Sequence, residues 1–214
     1  MNELEISNRL ASLYERRALQ GYVRWKVRTD PAYAAALDAL RDRVFSLVDL
    51  GCGVGLLAFY LREHGYIAPI IGIDFDGRKI DLARKAARRY RGIDFIEADA
   101  RDPLPDNHNV VILDILHYFD PESQQKILTN AAKAVPRGGA VVLRQPIRDE
   151  SWRYRMTKTV DGLARRFRWM KAEALNYPTR EEVTRPFQGF QQEIRPLWGR
   201  MPYNTYFFVF TKPR

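Results

Sequence analysis

Val48-Asp49-Leu50-Gly51-Cys52-Gly53-Val54-Gly55 is the stretch whose reading decides the fold. It stands between a short apolar strand, Phe45 to Leu50, and an apolar helix, Leu56 to Arg62. Glycine accepts φ > 0 and lets the backbone come close to a ligand. The helix start beyond it presents N–H groups that have no intrahelical partner. Strand, glycine turn and helix start together form a cradle for a nucleotide-type ligand. The dinucleotide fingerprint G-x-G-x-x-G requires a third glycine at position 56, where this chain carries Leu56. The pattern here is G-x-G-x-G, with the acid Asp49 two residues before the first glycine.

Working outward, Ile6, Leu10 and Leu13 recur at helical spacing and predict a first helix over about 3–20. Asp30-Pro31 reads as an N-cap followed by proline at the first helical position. Tyr33, Leu37, Leu40 and Val44 mark one face of the helix that follows. Beyond the glycine turn, strands are predicted over 69–74, 93–97, 109–113 and 140–143. Between them come a helix with Ile80, Ala83, Ala87 and Tyr90 on one face and another opened by Pro121. Continuous apolar strands alternating with helices argue for a parallel sheet covered on both faces. The tail differs: 190–197 and 203–211 flank a Gly199/Pro202 loop and read as an antiparallel hairpin.

Motif, acid and element order resemble the class I S-adenosylmethionine (SAM) dependent methyltransferases over about residues 45–212. The resemblance implies an α/β, Rossmann-like doubly wound, mostly parallel seven-stranded sheet. It also implies a C-terminal antiparallel hairpin and added helices at the N-terminus and after the fifth strand. Residues 1–214 are then one domain, with an N-terminal helical cap (1–44) and a cofactor-binding core (45–146). A basic helical cover (147–189) and the hairpin (190–214) complete it. SAM is the implied cofactor and S-adenosylhomocysteine (SAH) the product. In that family an acid at Asp49 lies near the methionine amino group, and glycines such as Gly51, Gly53 and Gly55 admit the carboxylate. Cys52 is a small packing residue of the same cofactor-binding turn.

Asp74 ends the second strand, 23 residues after Gly51, where a carboxylate accepts ribose hydroxyls. Asp74 and Asp76 both also qualify as a helix N-cap. Phe75 is placed to pack on the adenine. Within Glu97-Ala98-Asp99-Ala100, the resemblance puts Asp99 at the adenine amino group and the Ala100 N–H at the ring. The other reading of Asp99 is an ordinary polar loop residue. Asp114 closes the fourth strand and faces the crevice at the carboxyl ends.

Methyl transfer from a sulfonium is an in-line displacement that depends mostly on positioning, with a base needed for a poorly ionised acceptor. Ile115-Leu116-His117-Tyr118-Phe119 lies where the family places residues facing the transferred methyl. It is not the Asn/Asp-Pro-Pro-Tyr/Phe signature of enzymes acting on exocyclic or amide nitrogens. His117 reads either as a base for a phenol or as a wall residue bonded to a neighbour. Tyr118 reads as wall, and His64 and His108 receive no role. The scattered histidines and acids show no metal-ligand spacing.

The chain has 214 residues, a net charge of +9 and one cysteine, and no run reaches the roughly 18 apolar residues of a membrane span. An acidic start and a single cysteine predict a cytoplasmic protein. From Arg148 to Lys171 there are eight Lys/Arg against three Asp/Glu, a local surplus that suggests an anionic partner. Within it, Trp152, Met156, Val160, Leu163, Phe167, Met170 and Ala174 share one helical face, read most simply as packed on the fold. Trp152, Tyr154, Trp169 and Tyr177 are placed to line an acceptor pocket. The expected acceptor is therefore a small molecule, anionic or carried on an acidic acyl carrier protein, and methylated on oxygen. RNA and peripheral contact with an anionic membrane are further partners that a basic surface admits. A nicotinamide-linked oxidoreductase and a SAM-binding regulator without catalysis are the rival functional classes.

Overall fold

The computed structural model describes residues 2–43, 45–166, 175–198 and 203–214, with 160–166 described by backbone alone. Three helices come first: α1 (Glu3–Ala11), α2 (Arg17–Thr29) and α3 (Ala32–Leu40). The alternating core follows with β1 (Ser46–Leu50), α4 (Leu56–Glu63), β2 (Ile70–Asp74), α5 (Gly77–Ala87), β3 (Ile93–Glu97) and β4 (His108–Leu113). A 3-10 turn (Leu116–Tyr118) then leads to α6 (Pro121–Ala134) and β5 (Ala140–Pro146). After α7 (Trp152–Arg166) and α8 (Arg180–Thr184) the chain returns through β6 (Gln191–Pro196) and β7 (Thr205–Thr211). No helix among the described residues is long and apolar enough to cross a membrane.

The seven strands form one sheet in the order β3-β2-β1-β4-β5-β7-β6. The pairs β2–β3, β1–β2, β1–β4 and β4–β5 are parallel, while β7 runs antiparallel between β5 and β6. The expected fold class is the one observed. Strand order reverses between β1 and β4, and ligands of open α/β sheets bind outside the carboxyl ends at such a point.

Alternation along the strands sorts residues between the two faces. Leu47, Val111 and Val142 pack with α1 to α5, whereas Val48, Leu50, Val110, Ile112, Val141 and Leu143 pack with α6 and α8. The same two-residue period sends Asp49, Leu113 and Arg144 toward the N-terminal helices. It sends Gln145 to the other side.

Several boundaries differ from expectation. The helix expected over 3–20 stops at Ala11, and a separate helix, α2, follows. A capping box between Asn2 and Glu5 fixes the start of α1, and the chain then turns so that Tyr14 is buried. Only Val23 and Val27 are buried along α2, too short a stripe to announce itself among its cations. α3 begins at Ala32, whose N–H donates to the Asp30 carboxylate, one residue later than the Asp-Pro reading. β5 continues through Arg144, Gln145 and Pro146, polar residues that ended the apolar run in the sequence.

The expected packing of the α7 stripe is corrected at its start: Trp152 and Met156 are exposed. The helix is anchored instead by Thr157, fully buried, whose hydroxyl oxygen accepts from the Asn204 N–H. The side chains of Val160 to Ala174, Trp169 included, lie outside the described residues, as do Val44 and the Gly199/Pro202 loop.

Candidate cofactor site

The glycine turn is tied to the end of β2. Gly51 and Cys52 donate to the Ile73 carbonyl at 2.7 and 3.0 Å, and Gly53 donates to Asp74 Oδ2 at 2.9 Å. Gly51 (φ +80°) sits against Ile115, whose Cγ2 would lie 2.5 Å from an added Cβ. Gly53 (φ +57°) has no atom within 4 Å of that position and faces open space. The turn thus leaves a strip of bare backbone where a ligand can lie, and α4 begins with no side-chain cap on its N–H groups. Tyr14, from the chain between α1 and α2, donates its hydroxyl to the Val54 carbonyl at 2.8 Å.

Asp49 is 3% exposed, and its Oδ2 has no hydrogen-bond partner among the described residues. Burial, and then the nearby Asp74 charge, push its carboxyl up to about 7. An unpartnered buried acceptor is costly to leave, and a cationic donor would satisfy it. Cys52 is buried beside it with its thiol pushed up by desolvation, a packing residue of the turn.

Asp74 is buried, accepting from Gly53 N through Oδ2 and from Asp76 N through Oδ1, both at 2.9 Å. The α5 N-cap is Asp76, which accepts from Arg78 N, so Asp74 is not spent on capping. Phe75 beside it is 74% exposed, a bare aromatic face at the surface. Asp99 is held by Arg101 through three hydrogen bonds, which keep its carboxyl low, at about 2. Ala100 is half-buried next to it.

A cavity of about 180 Å³ opens between the ends of β1 and β4, bordered by Asp49, the glycine turn, Leu113 and Asp114. Its outer wall comes from the N-terminal helices through Tyr22, Lys26 and Tyr33, with Arg144 at its floor. Asp114 sits at φ +57°, a conformation sparsely populated by residues with a side chain. Arg144 joins Asp114 to Asp30, meeting Asp30 Oδ2 at 2.9 Å and Asp114 Oδ1 at 3.1 Å, with further bonds from Nη1 to Asp30 and Nη2 to Asp114. Lys26 also pairs with Asp30. Burial alone would raise the Asp30 carboxyl, but the Arg144 and Lys26 charges overcome it and hold the group at about 2.

The structure therefore brings Asp49, Gly51, Cys52, Gly53 and Asp114 to one cavity. Asp74 lies behind the turn, and Phe75, Asp99 and Ala100 follow the neighbouring strand ends. His117 is buried but is not among the residues bordering that cavity. Its Nδ1 lies 3.1 Å from Gln145 Nε2, its ring stacks on Tyr177 (5.8 Å, 12°), and Tyr118 is 4.1 Å away. Tyr22, Lys26, Asp30, Tyr33 and Arg144 were not anticipated in this role. Their signal was present as Tyr22 and Lys26 four residues apart on one helical face and as a cation closing a buried strand.

Residues 47–139, the segment that holds the glycine turn and four strands, match the family model described as a methyltransferase domain. Over that segment the chain is similar to the methyltransferase domain family. It is 33% identical over 110 residues to myricetin 3'-O-methyltransferase 4 of Solanum lycopersicum, covering 51% of this chain and 29% of that protein. It is 30% identical over 158 residues to 3-hydroxy-5-methyl-1-naphthoate 3-O-methyltransferase of Streptomyces sahachiroi, covering 70% of this chain and 42% of that protein. The chain spans less than half the length of these curated relatives. Among solved structures, magnesium protoporphyrin IX methyltransferase of Synechocystis PCC 6803, with bound SAH, superposes with a TM-score of 0.69 at 16% identity. That match covers 97% of this chain and 94% of the other and shows that the two chains share a fold.

Proposed function

We propose that this chain transfers a methyl group from SAM to the oxygen of a small aromatic or acyl acceptor. The observation that carries the reading is the orphaned Asp49 Oδ2 beside a glycine turn at the reversal of strand order. A buried carboxylate oxygen with no donor suits an ammonium group, and the uncovered backbone at Gly53 suits the chain that carries it. The residues present fit SAM. Asp49 would take the amino group, and Asp74, whose oxygens each keep a lone pair, would take the ribose diol. Phe75 would cover the adenine, with Asp99 and the Ala100 N–H at its edge.

SAM, when bound, supplies an electrophilic methyl on a sulfonium. The chain's own part is to fix the geometry and exclude water, with Leu113 and Tyr33 walling the methionine end. His117 is the proposed base for the acceptor hydroxyl. Among the described residues the buried Gln145 Oε1 has no hydrogen-bond partner, and rotating that amide would let it accept the Nδ1 proton.

An anionic acceptor, free or on an acidic carrier protein, is supported by α7. There the Arg153 guanidinium lies 4.8 Å from the Trp152 ring and 4.1 Å from that of Trp198, and both rings are exposed. The relatives' O-methyltransferase activities on small aromatic compounds support the substrate class.

The test is transfer of labelled methyl from SAM into cell extract, separated into small-molecule, protein and nucleic-acid fractions. Label in small molecules or a carrier protein is expected. Label in RNA would replace the substrate class, and binding of SAM without transfer would favour a regulator.

A further inference from the structure

An amino acid that places its ammonium on Asp49 brings a carboxylate attached to the same carbon. That carboxylate must fall within the same cavity, a few ångströms from Asp49, and a buried anion needs a cation. Two cations border the cavity, Lys26 and Arg144. Arg144 is already committed: four of its N–H groups go to Asp30 and Asp114, and its side chain is 9% exposed. Among the described residues Lys26 has a single ion-pair partner, Asp30, and an ammonium carries three N–H groups. Its side chain is 23% exposed, so part of it remains open to a ligand.

We propose that Lys26, on the last turn of α2, is the residue that binds the carboxylate of the cofactor's amino-acid end, with Asp30 and Arg144 as positioning residues behind it. The inference rests on the reading of Asp49 as the ammonium site. Arg144 grips both oxygens of Asp30, and Asp30 in turn fixes the Lys26 ammonium at the cavity wall. Tyr22, one helical turn before Lys26, and Tyr33 on α3 border the same cavity. The zwitterionic end of the ligand is thereby matched by an anion from the core and a cation from the N-terminal helices. Those helices thus become part of the cofactor site.

The experiment compares SAM with decarboxylated SAM, which keeps the ammonium and lacks only the carboxylate, by calorimetry without acceptor. Wild-type protein is expected to bind decarboxylated SAM at least tenfold more weakly. In Lys26→Met the preference should collapse through loss of SAM affinity, and Lys26→Arg should restore most of it. Equal affinity of wild type for the two ligands would overturn the proposal without any variant. So would a Lys26→Met protein that keeps the full preference. An Asp49→Asn control separates the two claims, since normal SAM binding by that variant would remove the ammonium reading itself. Weakened binding there, with Lys26→Met unaffected, would remove Lys26 alone.

Discussion

Replacing Asp49 by Asn tests the site at its most demanding atom. The carboxyl sits at about 7 because it is buried and faces the Asp74 charge, so the unliganded protein holds it largely protonated below that pH. Only the ionised form accepts the ammonium well. Cofactor affinity should therefore fall as pH drops, by about tenfold at pH 6 and about a hundredfold at pH 5 relative to its value well above 7. SAH keeps its ammonium and carboxylate charges throughout that window, and Asp30, held at about 2, does not titrate in it. For Asp49→Asn the loss of a charge-assisted bond in a buried place is worth about 2 kcal/mol, about thirtyfold in Kd at pH 8, and the pH dependence should vanish. Stability should move the other way. A carboxyl whose folded pKa lies above its unfolded value favours the fold most below the unfolded pKa and loses that contribution as pH rises through about 7. The Asn variant, which has no charge to bury, should therefore melt higher than wild type at pH 8, by about 2–4 °C for each kcal/mol. Calorimetry with SAH from pH 5 to 8, beside thermal melts of both proteins, supplies the numbers. A flat wild-type affinity across that range, or wild-type affinity in the variant, would refute the reasoning.

Other expectations follow from the same geometry. Arg144→Leu takes the guanidinium from Asp114 and leaves Asp30 with Lys26 alone, and should cost about 3 kcal/mol in chemical denaturation; a loss below 1 kcal/mol would show that the cluster is not structural. Asp74→Ala removes both the proposed ribose acceptor and the anchor of Gly53, and should weaken SAM binding at least tenfold, about 1.4 kcal/mol, by calorimetry. His117→Gln should lower kcat by about a hundredfold or more while leaving SAH affinity within twofold. Equal kcat would reduce His117 to a wall residue.

The order of strands was legible because buried parallel strands are continuous apolar runs, and the glycine turn marks its own place. Asp49 stood out for the same reason, as a single acid inside such a run. What escaped the sequence was whatever depends on long-range pairing. Asp30 looked like a local N-cap and is one partner of a cluster in which Asp114 and Arg144 lie 84 and 114 residues away. α2 was missed because two buried valines give no periodic stripe. Trp152 and Met156 looked like core by periodicity, yet Thr157 and Asn204 turn the helix so that they face outward. The cavity's outer wall belongs to that missed helix, so its chemistry could not be read without the fold.

Tyr14 holding the Val54 carbonyl has a practical consequence for protein engineering. The N-terminal helices are not an interchangeable module that can be traded to alter acceptor choice. A chimaera that grafts foreign helices onto residues 45–214 would lose the tether on the glycine turn and one of the two carboxylate partners of Arg144 together. A workable transplant has to carry Tyr14 and Asp30 as a set and land on a recipient that supplies both a free carbonyl and a matching guanidinium.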